Sequence, residues 1–66
     1  MEWNDRLFTI RAMQNFGGNF VVALADAWQR ADVDNSNRIE AAFPDYVAKY
    51  GPGSSFHKIE KERETI

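Results

Sequence analysis

The chain has 66 residues, no cysteine and a net charge of −2, with hydrophobic residues at 44% and aromatics at 14%. That length supports one domain with a small core, and the missing cysteines exclude a disulfide staple or a thiolate metal site. A pI near 5.2 without a basic run argues against direct DNA or RNA binding, and no apolar stretch approaches a membrane span.

In chain order, Asn4 or Asp5 starts a first helix that runs through Asn15. Trp3, Leu7 and Ile10 form its apolar stripe, with Phe8 and Met13 to either side. Phe16-Gly17-Gly18 makes a turn, where glycine supplies backbone freedom. Asn19 is placed to cap a second helix reaching about Ala31, with a stripe of Phe20, Leu24, Ala27, Trp28 and Ala31 widened by Val21 and Val22.

Residues 32–50 are the most informative stretch, because they admit two readings. As a calcium loop, Asp32, Asp34 and Ser36 fill the first three ligand positions, Arg38 lends a carbonyl and Glu40 holds a water. The pattern then fails, since Phe43 stands where a bidentate glutamate must close the site. As a helix, Asp32 or Asp34 caps the first turn, and Ile39, Ala42, Phe43, Tyr46, Val47 and Tyr50 follow at helical spacing. Glu40, Asp45 and Lys49 fall off that stripe. Pro44 either kinks this helix or opens a new one as its first residue. The helical reading explains more residues, and it places Phe43 in the core where the third helix meets the first two.

Gly51-Pro52-Gly53 ends the run, and Ser54 or Ser55 caps a last segment anchored by Phe56 and Ile59. Glu60, Glu62 and Glu64 alternate with Lys61 and Arg63, which predicts a solvated face. The expected organisation is a single helical domain over residues 1–57, followed by a charged segment at 58–66 that is a short or frayed helix. The fold class is all-α, a compact bundle of three to four short helices. A small core without staples and a surplus of aromatics add the expectation of a homo-oligomer.

Catalytic chemistry finds little support. His57 is the lone histidine, and no nucleophile with a positioned third group accompanies it, so it reads as a surface or interface residue. Gly17-Gly18 is followed by neither a Walker lysine nor Rossmann spacing. The protein is therefore expected not to be an enzyme and to need no cofactor or metal. Binding remains. Arg30, Arg38 and Lys49 are candidates to meet phosphates or a partner, while Trp28, Tyr46 and Tyr50 are candidates to stack on a base or anchor a protein partner.

A resemblance supplies a setting. Ala31-Asp32, Asn35, Arg38-Ile39, Ala41-Ala42-Phe43-Pro44, Tyr46 and Tyr50-Gly51-Pro52 resemble a recurrent pattern in small bacteriophage and prophage proteins. Phe16-Gly17-Gly18-Asn19-Phe20-Val21, Ala23-Leu24-Ala25 and Trp28 are similar to it as well, so the likeness spans about residues 16–52. The positions between Asp32 and Asn35 vary in that pattern, which also argues against a metal loop. The resemblance implies a genomic setting and no mechanism. In that setting the two binding readings, stoichiometric binding of a host protein and sequestration of a nucleotide signal, converge on an accessory protein that blunts a host defence or redirects a host process. The N-terminal MEWNDRLF lacks the basic and apolar regions of a secretory signal, so the expected location is cytoplasmic, in the host cell if phage-encoded.

Overall fold

Helix boundaries follow the chain's own punctuation. The computed structural model describes residues 1–64, which form five helices and no strand. These are α1 (Trp3–Phe16), α2 (Asn19–Gln29), α3 (Val33–Ala42), α4 (Pro44–Tyr50) and α5 (Ser55–Glu64). The all-α class is as expected, but there are five helices where three or four were predicted. Pro44 is the reason for one of them. It sits at the first position of α4, where its missing amide costs nothing. Phe43 is the shared cap between α3 and α4, and its non-helical backbone (φ −127°, ψ 61°) makes the break.

The last segment is a regular ten-residue helix. It begins where Ser54 Oγ accepts from the His57 amide at 3.1 Å, and it runs across the boundary expected between 57 and 58. Residues 65 and 66 of the expected charged segment lie outside the described residues. Asp32 caps α3 as predicted, its Oδ1 accepting from the Asn35 amide at 2.8 Å. At the start of α2 the cap is Gly18 instead of Asn19, and no side chain bonds there.

Two glycines are required by geometry. A Cβ on Gly17 would collide with Val21 Cγ1 and would lie 2.5 Å from the Met13 carbonyl, so α1 and α2 can turn this tightly only over glycine. Gly53 has φ +91°, in the left-handed region that side chains disfavour.

The Gly17 contact also sets which face of α2 turns inward. Val21, Ala25 and Trp28 are buried and Leu24 packs beside them, whereas Phe20 is 59% exposed and Ala27 faces solvent. The predicted stripe and the observed one share Leu24, Trp28 and Ala31, and Val21 from the widened face is buried as well. The close approach of Val21 to Gly17 holds Val21 inward and leaves Phe20 and Ala27 outside. On α1 the buried residues are Thr9, Ile10, Ala12 and Met13. Trp3, expected on the stripe, is 68% exposed, with the Arg6 guanidinium 4.2 Å above its ring.

The central helix is α1, which packs on α2, α4 and α5. By contrast, the backbone of α3 packs beside α2 and α4, it reaches α1 through side chains such as Arg6, and Ser36 is its one buried residue. Phe43 is half-buried and does not sit at a junction with α1. Its ring stacks on Tyr46 at 5.8 Å and lies 6.1 Å from Phe20. From Tyr46 the ring contacts continue to Tyr50 at 6.5 Å, to Phe56 at 5.5 Å and to Phe16 at 4.7 Å. Six of the nine aromatics thus form one ladder that ties α2, the α3–α4 junction, α4, α5 and α1 together.

Candidate functional site

Three residues, Arg30 to Asp32, separate α2 from α3. So short a link keeps the last turn of α2 against α3 and leaves a groove between them of about 510 Å³. Its floor is apolar: Ala27 from α2, Ala31 from the link, Ile39 and Ala42 from α3, and Phe43 from the α3–α4 junction. Arg30, Asn35 and Arg38 form the polar rim.

Both rim arginines are exposed and form no ion pair with any described residue. On a helix, an acid four residues earlier is the natural partner of each. For Arg30 that acid is Asp26, but its Oδ1 accepts from Gln14 Nε2 on α1 at 3.0 Å. For Arg38 it is Asp34, which stays exposed in the first turn of α3, where negative charge meets the positive end of the helix dipole.

The six residues singled out from the sequence do not form one site. Arg30 and Arg38 line the same groove. Trp28 is 1% exposed and Tyr50 3%, so neither offers a ring to a ligand or partner, and their expected stacking role is corrected to a core role. Tyr46 is half-buried within the ring ladder. Lys49 is exposed, with its ammonium 5.5 Å from the Tyr50 ring and away from the groove. The floor residues were missed. Their signal was present in the spacing of Ala27 with Ala31, at the end of α2 and in its three-residue link, and of Asn35 with Arg38, Ile39 and Ala42 on α3.

The second correction concerns the interior, which is more polar than the sequence suggested. Ser36 is 4% exposed. Its Oγ accepts from the Trp28 indole Nε1 at 2.7 Å and from Arg6 Nη1 at 2.9 Å. As a calcium loop, residues 32–36 would have to converge around an ion. Instead Asp32 caps a helix and Ser36 points into the core with its oxygen bound to two donors. His57, expected at the surface, is 5% exposed. Its Nε2 lies 3.8 Å from Asp5 Oδ1 and 3.3 Å from the Asp5 carbonyl, and its ring meets the edge of Phe8 at 5.7 Å. That carbonyl also accepts from Thr9 Oγ1 at 2.7 Å.

Glu60, expected on a solvated face, is 4% exposed. Its Oε1 accepts from Asn15 Nδ2 at 2.9 Å, and its Oε2 lies 3.2 Å from Arg63 Nη1 without a well-formed hydrogen bond. The alternating charges of α5 hid it, since one carboxylate in that run turns toward α1. Glu62 and Glu64 are exposed as predicted. No helix among the described residues is long and apolar enough to cross a membrane.

Comparison with protein-family models, curated proteins and solved structures finds no match to this chain.

Proposed function

We propose that the protein acts by stoichiometric binding of a protein partner and that the α2–α3 groove is its contact surface. The observation that carries this reading is the pairing of an apolar floor with two exposed arginines left without ionic partners. Arginine and aromatic side chains are favoured where interfaces concentrate their energy. Phe43 supplies such a ring at the groove's end, and Phe20, 6.1 Å from it, extends the apolar surface outward. The resemblance to phage and prophage proteins makes the partner a host protein and the outcome inhibition of a host defence or process. In that setting the protein works in the host cytoplasm, by occupancy and not by turnover.

Self-association belongs to the same proposal, because the exposed Trp3, Phe20 and Val33 are apolar surface that a second copy would cover. Sequestration of a nucleotide signal is the second reading. It draws on the same two arginines as phosphate partners.

The test is affinity capture from host lysate with the wild-type chain and with Phe43→Ser, scored for bound proteins and for co-purifying nucleotides. A stoichiometric protein partner that the variant loses supports the groove. A nucleotide in place of a protein supports sequestration. Inhibition of a purified host target at far below stoichiometric amounts would show turnover and refute the reading.

A further inference from the structure

Resting on the binding reading above, we infer that the groove takes an acidic, aliphatic peptide segment of its partner: apolar side chains on the floor and carboxylates against Arg30 and Arg38. Charge is the first argument. An exposed arginine normally finds an acid one helical turn away. Here Asp26 is held by Gln14, and Asp34 remains in the first turn of α3 without an ion pair. Two guanidiniums beside one apolar trough make a surface complementary to carboxylates, which guanidinium binds in bidentate fashion.

The floor is the second argument, and it separates a peptide from a nucleotide. A base needs an open ring face to stack on. Trp28 and Tyr50 are sealed in the core, and the Phe43 ring is stacked on Tyr46 at 5.8 Å. Beside that one ring the floor is aliphatic: Ala27, Ala31, Ile39 and Ala42. Leucine, isoleucine or valine side chains match that floor, whereas a purine would meet a single ring, Phe43, already stacked on Tyr46. The partner's segment is therefore amphipathic, with one apolar edge and an acidic flank.

The probe is a fluorescein-labelled sixteen-residue model helix carrying leucines along one edge and glutamates beside them. It is titrated by anisotropy into the full chain, alongside a copy with every glutamate changed to glutamine. Amide NMR shifts locate the site. The expected result is saturable binding that shifts amides of residues 27–43. Arg30→Gln and Arg38→Gln should each weaken it by about threefold, and together by about tenfold, as exposed ion pairs allow. The glutamine copy should bind more weakly and lose the salt dependence. Saturable binding unaffected by either arginine change, or equal binding of the two peptides, overturns the acidic occupant. No binding of the glutamate peptide overturns it too.

ATP and ppGpp are titrated in parallel. If either shifts the same amides and the peptide does not, the arginines serve free phosphates instead. The two levels separate cleanly. If the captured host protein survives Arg30→Gln/Arg38→Gln but is lost with Phe43→Ser, the binding reading stands and the acidic segment fails. If nothing is captured in stoichiometric amount, the binding reading itself fails.

Discussion

Replacing Ser36 by alanine removes one oxygen and should cost far more than its size suggests. That oxygen accepts from Trp28 Nε1 at 2.7 Å and from Arg6 Nη1 at 2.9 Å. The two losses are unequal. Trp28 is 1% exposed, so its N–H would have no water to turn to, and a buried donor left unsatisfied costs about 1–3 kcal/mol. Arg6 is half-buried and stacked on the exposed Trp3, so its guanidinium can reach solvent and should add only a fraction of that. A total near ~2 kcal/mol corresponds to a fall in Tm of about 8–16 °C for a chain of this length.

Thermal unfolding followed by circular dichroism measures this shift, and urea unfolding gives the free energy. A double-mutant cycle isolates the cause. In a Trp28→Phe background the indole N–H is already gone, so Ser36→Ala should cost less than about 1 kcal/mol. An equal cost of Ser36→Ala in both backgrounds, or a change under about 0.5 kcal/mol in the wild type, would refute the reasoning. The Ser36 oxygen would then be incidental to the attachment of α3.

Gly17→Ala should destabilise more than a helix-propensity change can explain, since its Cβ meets Val21 and the Met13 carbonyl; a Tm within a degree or two of wild type would show that the α1–α2 turn relaxes freely. Phe43→Ala should cost about 1–2 kcal/mol in urea unfolding, less than the 3–5 typical of a fully buried phenylalanine, because Phe43 is half-buried; a loss in the upper range would place it in the core after all. Asp32→Ala should cost about 1 kcal/mol through the lost cap on the Asn35 amide. Calcium should leave the wild-type Tm unchanged; a rise that Asp32→Ala abolishes would restore the metal loop.

Much of the helical layout was legible in the sequence because its signals are local. Asp32 and Ser54 cap by short side-chain oxygens, Pro44 opens a helix, and the glycines mark the turns. Those effects act within a few residues, so reading along the chain finds them. The facing of each helix was less legible. The apolar face of α2 was broad in sequence, and the close approach of Val21 to Gly17 turned Phe20 and Ala27 outward. Trp3 looked like a core residue by type, yet it lies in the first turn of α1 and beyond the buried stretch.

The buried polar groups were least legible. Ser36, His57 and Glu60 are each held by partners distant in sequence, namely Arg6, Asp5 and Asn15. Nothing in a serine, a histidine or a charged run announces such a partner. The groove fell between these cases, since Arg30 and Arg38 were found by charge while its alanine floor offered no conspicuous residue.

The slight attachment of α3 bears on motion. This helix buries little apolar surface, and polar bonds through Ser36 do much of the work of fixing it to the rest. Segments held by few buried apolar contacts open at lower free energy than the whole chain unfolds. Amides of α3 should therefore exchange with deuterium earlier than those of α1, through a partial opening that leaves the α1–α2–α5 body intact. Such an opening wets the indole of Trp28, so its emission would shift to the red before helical signal is lost. The same opening widens or erases the groove, and a ligand that bridges α2 and α3 would slow the exchange.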